Sequence, residues 1–171
     1  MLKSAGAVIH MQNDMNSIRV LNRTNFDEQD DFEGLRKVGA TTVFSESVIN
    51  YLNQLSKVLF KDSRTRTYPD VGTFAFYCRK GNLLGLKRKF GQKDDIKLGR
   101  GVVFHIAPSN VPVNFAYSLI AGLLSGNANI IRLPSKHFEQ VQIIVDAINV
   151  LSEGKSHKAI SDRIILIKYE S

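Results

Sequence analysis

The residues best suited to chemistry lie in one turn, where Asn110 stands between Pro108 and Pro112. Each proline fixes its own backbone angle, so the carboxamide of Asn110 is carried on a stiff segment and can be aimed at a ligand. The same side chain could instead cap the helix that follows, because asparagine is a common helix cap. The two roles are compatible, and this turn is the first candidate for a functional site.

The single cysteine and the four histidines do not provide a second candidate. Cys78 shares a predicted apolar helix face with Phe74 and Ala75, which is typical of a buried, unreactive thiol. One cysteine also excludes an internal disulfide. His105 alternates along a predicted strand and is expected to be packed. The histidines show no metal-ligand spacing, so we expect no metal site.

The turn is expected to connect a strand and a helix of an α/β unit. The apolar run 102–106 predicts a strand that is buried on both faces of a parallel sheet. Pro112 can occupy the first helical position, and Gly126 suits a left-handed residue after the helix. The run 130–133 predicts a second strand, which implies a right-handed βαβ unit. The predicted buried helix face consists of Ala116, Leu119, Ile120, Leu123 and Leu124.

The unit is predicted to continue through a further helix and strand. Ser135 can cap a helix over 137–151, and 163–168 predicts a third buried strand. Residues 97–171 are therefore predicted to form β-α-β-α-β, the first half of a doubly wound, Rossmann-like sheet. Because three parallel strands with an open edge are a poor stopping point, we expect either a longer protein or another element over that edge.

Residues 1–96 are predicted to form a mainly helical N-terminal region that precedes the nucleotide-binding half. Ser45 or Ser47 can cap a helix that runs to about Phe60. Asp70 can cap the next helix. The buried stripe expected for the first helix consists of Val48, Leu52, Leu55 and Leu59. The inner face expected for the second consists of Val71, Phe74, Ala75 and Cys78.

Two apolar runs near the N-terminus, 7–11 and 18–21, are separated by turn-forming residues and suggest a hairpin. Such a ribbon could pack on the same domain or form a contact between copies of the chain.

The net charge of +7 is concentrated in residues 79–100, which contain eight basic and two acidic residues. Three interpretations are open: a solvated helix face and loop, attraction of phosphorylated partners such as coenzyme A or an acyl carrier protein, or nucleic-acid binding. Phe90 is the only aromatic residue in this segment, and stacking on nucleic acid needs several, so we expect no nucleic-acid partner.

The composition is that of a globular protein, with 43% apolar residues. No apolar run approaches the roughly 18 residues that a membrane span requires. The N-terminus lacks the basic and apolar segments of a secretory signal. We therefore expect a cytoplasmic protein without a membrane span.

Three short motifs lie in order within 101–136, after a predicted strand, after a helix and after a second strand. They are Pro108-Ser109-Asn110-Val111-Pro112, Gly126-Asn127 and Pro134-Ser135. Together they resemble the aldehyde dehydrogenase superfamily. The variant seen here looks like the acyl-CoA reductases of the LuxC type, the fatty-acyl reductases that supply aldehyde to bacterial bioluminescence. The combination is specific, although each motif alone would be weak.

The resemblance implies an aldehyde-dehydrogenase-like fold and a two-step reduction of a fatty-acyl thioester, either acyl-CoA or an acyl-protein, to an aldehyde. It implies that Asn110 donates to the oxyanion of a cysteine thioacyl adduct. The cysteine itself is expected downstream of Ser171, so the isolated chain is expected to be inactive. Residues implied in cofactor binding are Ile106, Ala107, Pro108, Ser109, Arg132, Leu133, Pro134, Ser135 and Lys136.

The cofactor implied by the residue after the Pro-Ser motif is NADPH. In the superfamily this position is commonly glutamate, which bonds the adenosine ribose hydroxyls; here it is Lys136, and Leu133 stands where lysine is frequent. A cation in place of the acid would pair with a 2′-phosphate, for which Arg132 is a second candidate. Alternatively, Lys136 is a solvated residue of the first helical turn, although a cation is unfavourable there.

Other functions remain open at the level of sequence. A relative in the same superfamily could oxidise aldehydes or reduce acyl phosphates. The isolated chain could also be a non-catalytic nucleotide-binding module. A homo-oligomer or acyl-transfer partner proteins are compatible with the resemblance.

Overall fold

The computed structural model describes residues 18–22, 28–90 and 96–169, which form an α/β structure around one four-stranded mixed sheet. Two short 3-10 helices, Ser63–Arg66 and Lys155–His157, complete the secondary structure of these ranges. In chain order the strands and helices are β1 Ile18–Val20, α1 Glu28–Lys37, α2 Glu46–Lys61, α3 Pro69–Tyr77, α4 Lys80–Phe90, β2 Val102–Ile106, α5 Asn114–Leu124, β3 Ala128–Arg132, α6 Glu139–Ser152, α7 Lys158–Ser161 and β4 Ile164–Tyr169.

The strand order across the sheet is β1-β4-β3-β2. The pairs β2–β3 and β3–β4 are parallel, with α5 and α6 as the two crossover helices. The α/β class and the predicted β-α-β-α-β segment are therefore confirmed. The doubly wound, aldehyde-dehydrogenase-like arrangement of a whole domain stays a prediction.

The outer edge of β4 is covered by β1, which pairs with it in antiparallel fashion. The side chain of Asn22 extends this pairing, since it donates to Ile164 O (2.8 Å) and accepts from Leu166 N (2.8 Å). The suggested hairpin paired the run 18–21 with the run 7–11. The run 7–11 lies outside the described residues. Another element thus covers one edge of the parallel strands, which was one of the two expectations.

The two faces of the sheet are packed unequally. Ile131 and Leu166 point into the main core, which α2, α5 and α6 also line. Leu35 of α1 packs on the opposite face, over Ile165. The prediction that β2 is buried on both faces is wrong, because this strand lies at the sheet edge and no described helix covers one of its faces. The exposed residues are Val102, Phe104 and Ile106, at 40%, 46% and 68%.

Helix α2 forms as the sequence predicts. Ser45 is its N-cap, and the hydroxyl accepts from Val48 N at 3.4 Å. The predicted apolar stripe is fully buried. Asp70, by contrast, does not cap α3, because Pro69 already occupies the first helical position and Tyr68 is the N-cap. Among the described residues, no helix combines the length and the apolar character that crossing a bilayer would need.

Both crossover helices begin a few residues later than predicted from Pro112 and Ser135. Pro112 lies in a turn and α5 starts at Asn114, because the backbone first closes a turn from Asn114 N to Val111 O (3.2 Å). Ser135 does not cap α6, whose N-cap is Phe138. Gly126 ends α5 with φ +79°, as predicted.

Three backbone segments meet beside Gly126. Thr41 N donates to Gly126 O, and Gly99 N donates to Thr41 O, both at 3.0 Å. The main core likewise contains residues from both sides of the proposed 1–96 and 97–171 division. That division stays a prediction, and the described residues on its two sides share one core.

Candidate functional site

The two groups of predicted site residues lie at one edge of the sheet. Because β2 and β3 are parallel and Ile106 pairs with Arg132, the segments 107–113 and 133–138 both leave the sheet at its carboxyl edge. Ligands of open α/β sheets bind at this edge. The fold therefore places the Asn110 loop and the Pro134-Ser135 motif at the edge where nucleotides usually bind, whereas Gly126-Asn127 lies at the amino end of β3.

Asn110 is exposed and has no hydrogen-bond partner among the described residues. It does not cap α5, whose N-cap is Val113 without a side-chain capping bond. The structure thus removes the alternative that this asparagine serves as the helix cap. Its carboxamide is available to a ligand, and its catalytic role stays a prediction.

The loop that carries Asn110 is fixed at both ends. Ala107 packs against the main core as β2 ends, and Val113 is buried where α5 begins. Phe115, in the first turn of α5, is completely buried. A loop with two anchored ends and two prolines has few conformations, so Asn110 is presented on a constrained segment.

Helix α5 approaches the sheet through Gly122. A side chain there would collide with the carboxamide of Asn129 and come within 2.9 Å of His105 Nε2. Asn129 is fully buried on β3, where its Oδ1 bonds His105 Nε2 (3.0 Å) and its Nδ2 donates to Asn127 O (3.0 Å). His105 is therefore packed, as predicted, and this polar contact sets the distance between α5 and the strands.

A cleft of about 210 Å³ opens beside α6, at the ends of β3 and β4. Of the predicted cofactor residues, Leu133, Pro134 and Lys136 line it, whereas Ser135 and the residues 106–109 do not. Leu133 is anchored by its N–H, which donates to Ile167 O at 2.9 Å. The apolar wall of the cleft consists of Leu21, Leu133, Pro134, Phe138, Val141 and Val145.

The remaining side chains of the cleft give it a positive charge. Arg19, Lys136 and Lys168 line it together with His137 and Gln142, and no acidic residue does. The Lys136 ammonium lies 5.4 Å from the centroid of the Phe138 ring, a cation–π contact that leaves its charge uncompensated.

The acidic residue nearest to Lys136 in sequence, Glu139 in the first turn of α6, does not line the cleft and pairs with Arg64. Its carboxylate accepts from Arg64 at 3.2 Å, and the same guanidinium binds Asp62 at 2.7 Å and Asp146 at 2.9 Å. The hydrogen bonds from Arg64 lower the pKa of Asp62. The cluster ties the first 3-10 helix to α6 and binds one oxygen of the Glu139 carboxylate, whose other oxygen lies 4.0 Å from Nε2 of the cleft residue His137.

Sequence reasoning missed Arg19 and Lys168. They lie near opposite ends of the described chain and meet only because β1 pairs with β4, where they are direct partners. The strand-like run at 18–21 was the available signal, and it was assigned to a local hairpin.

Arg132 lies on the other face of the sheet from this cleft. Strand alternation places it with Ile130, which packs towards α1, whereas its neighbours Ile131 and Leu133 enter the main core. Its predicted contact with a cofactor phosphate stays a prediction, and Lys136 is the candidate that the cleft contains.

Cys78 is fully buried, and burial raises the pKa of its thiol. A nucleophilic cysteine needs an accessible thiolate, so Cys78 does not have the properties of one. Within the part of the chain that the structure describes, no group of three or more histidine, cysteine, aspartate or glutamate side chains is arranged to hold a metal ion.

A comparison with protein families gives a match for part of the chain. Residues 87–170, just under half of the chain, match the family Acyl-CoA reductase (LuxC). The matched segment contains the Asn110 loop, both crossover helices and the three parallel strands. Neither the curated proteins nor the solved structures contain a match to the chain.

Proposed function

From the match of residues 87–170 to the acyl-CoA reductase (LuxC) family, we propose that the chain is the N-terminal part of an NADPH-dependent reductase that converts fatty-acyl thioesters to aldehydes. The observation that carries the proposal is the Asn110 loop, which lies at the carboxyl end of β2 with an exposed, uncommitted carboxamide. It lies at the same sheet edge as the positively charged cleft.

The strand order supports a doubly wound domain. In such a domain the first three strands lie in the order 3-2-1, and the fourth strand pairs with the free edge of the first. The ligand crevice lies between the first and fourth strands. In the proposed domain β4-β3-β2 would be the 3-2-1 half, and β2 is an edge strand among the described residues. Its exposed Phe104 and Ile106 offer an apolar face to a further element. Asn110 would then lie at the crevice.

The proposed chemistry assigns one role to Asn110. A cysteine of the downstream region attacks the thioester carbonyl, and the electron pair of that double bond moves onto oxygen. The side-chain amide of Asn110 donates to this oxyanion until the thiolate leaving group departs and the thioacyl enzyme forms. When bound, NADPH would supply the hydride that reduces the thioacyl group, after which the bond to sulfur breaks, the aldehyde leaves and the cysteine thiolate is restored. Cys78 is excluded from the first step by its burial.

The cleft fits the phosphate end of NADPH better than that of NADH. It contains Lys136 and two further cations, and it lacks the carboxylate that would repel a 2′-phosphate. The proposed orientation places the adenosine phosphate in the cleft and the rest of the cofactor along the carboxyl edge towards Asn110.

Replacing Lys136 by glutamate is expected to reverse the cofactor preference. The new carboxylate repels the 2′-phosphate and can accept from ribose hydroxyls, so NADPH binding should weaken roughly tenfold or more while NADH binding is retained or improved. Isothermal titration of both nucleotides checks this, with Lys87→Gln as a control that removes a positive charge that does not line the cleft. A wild-type chain that binds NADH more tightly than NADPH would reverse the cofactor assignment.

The reaction itself is tested on the complete protein, with acyl-CoA, acyl phosphate and aldehyde supplied in parallel. Aldehyde formation from acyl-CoA with oxidation of NADPH is the expected result, and the 171-residue chain alone should give none. Activity confined to acyl phosphate, or to aldehyde oxidation, would reject the thioester assignment. Intact mass spectrometry showing acylation at Cys78 would contradict the proposed downstream nucleophile.

A further inference from the structure

Arg19 and Lys168 stand directly opposite each other in the antiparallel pair of β1 and β4. Like charges in this position destabilise a sheet. Neither side chain has an acidic partner among the described residues, although other cations do: Lys37 pairs with Glu33, and Lys158 pairs with Asp162. The pair therefore carries a repulsion that a bound anion would offset.

Both side chains line the same cleft as Lys136, so three cations converge on one small space. The volume of about 210 Å³ is below the range of about 300–1,000 Å³ that is usual for small-molecule pockets. The cleft therefore suits one charged group and its immediate attachment rather than a whole dinucleotide. Its apolar side, which includes Leu21 and Phe138, can contact a sugar or a base next to that group.

The charge of the cleft favours a doubly charged anion. A phosphomonoester carries about −1.5 to −2 at neutral pH, whereas a carboxylate or a phosphodiester carries one charge. The guanidinium of Arg19 can bind phosphate oxygens in a bidentate manner, and the two lysines add point charges. We propose that Arg19 and Lys168, together with Lys136, bind a phosphomonoester group on a ribose ring.

Two sources share this chemistry, the 2′-phosphate of NADPH and the 3′-phosphate of coenzyme A. The first rests on the proposed function, in which NADPH is the reductant. The role of Arg19 and Lys168 does not depend on which of the two is correct.

The test is isothermal titration of the 171-residue chain with small probes. Adenosine 2′,5′-bisphosphate and adenosine 3′,5′-bisphosphate are compared with adenosine 5′-monophosphate. One bisphosphate should bind roughly tenfold tighter than the monophosphate, as expected for one or two charge-assisted contacts. Arg19→Gln and Lys168→Gln should each remove most of this preference and the double variant all of it, whereas Lys87→Gln should keep it.

The same titrations with NADPH against NADH, and with coenzyme A against dephospho-coenzyme A, identify the source. A preference for the 3′-phosphate alone would reject NADPH as the occupant and leave the phosphate site standing. An NADPH preference that survives in the double variant would overturn the role of Arg19 and Lys168 while the proposed cofactor stands. Equal affinity of the wild-type chain for both bisphosphates and the monophosphate would also overturn the proposed role of Arg19 and Lys168.

The melting temperature distinguishes a lost phosphate contact from a damaged fold. Because either substitution removes the repulsion across the β1–β4 pair, the unliganded variants should melt about 1–3 °C above the wild type. Weaker binding accompanied by a lower melting temperature would contradict the proposal, since it would show that the two cations stabilise the fold instead.

Discussion

Substitution of Gly122 by alanine is expected to destabilise the chain by about 3 kcal/mol, a large part of the stability of an ordinary domain. The added methyl group would occupy the place of the Asn129 carboxamide. That group is completely buried and is held by His105 and by the carbonyl of Asn127. It cannot move without leaving buried polar atoms unpaired, and α5 cannot move without displacing the Asn110 loop.

Urea denaturation followed by far-ultraviolet circular dichroism measures this change, and Gly72→Ala is the matched control. Gly72 is also helical, but a side chain at that position meets no atom within 4 Å. Its substitution should stabilise α3 by about 0.5–1 kcal/mol, since alanine is the better helix former. Equal effects of the two substitutions would show that α5 does not press on Asn129.

Substitution of Asn110 by alanine is expected to lower kcat of the complete reductase by about 10²–10³-fold, with little change in KM for acyl-CoA. The carboxamide donates to charge that develops only in the transition state, so substrate binding should be nearly unaffected. Asn110→Asp should be at least as damaging, because a carboxylate repels the oxyanion.

A folding defect would be visible separately. Asn110 is exposed and does not cap α5, so Asn110→Ala should leave the melting temperature unchanged. Asn114→Ala, four residues further along the same segment, should change kcat by less than about threefold, because that side chain lies outside the proposed contact. Wild-type kcat in Asn110→Ala would remove the oxyanion role.

Helices and parallel strands could be predicted where one local rule decides them. The stripe of α2 recurs with the helical period, and all of it is buried. The apolar run 102–106 became β2 without a shift of either boundary. Gly126 was predicted to be left-handed because its position after α5 suits glycine, and its φ is +79°. Each of these features depends on residues close in the chain.

Features that depend on distant partners were not predictable in the same way. The burial of β2 depends on which elements cover its faces. An apolar run in the sequence does not show whether the strand lies at the centre or at the edge of a sheet. Arg19 and Lys168 each look like an ordinary surface cation until β1 pairs with β4. In the candidate site, the sequence motifs predicted the Asn110 loop and Lys136, whereas the cleft and its Arg19–Lys168 pair were visible only in the tertiary structure.

The β1–β4 pairing also constrains the order in which the molecule can assemble. Asn22 and Leu166 are separated by 144 residues, so closing this contact costs on the order of 4 kcal/mol in chain entropy. At ribosomal rates of about 5–20 residues per second, roughly 7–30 s pass between the synthesis of β1 and that of its partner β4. The α2–α4 layer and the β2–α5–β3 unit can collapse during that interval. Among the described strands, the one translated first is therefore among the last to be incorporated, and the nascent chain passes through a state in which the cationic cleft does not yet exist.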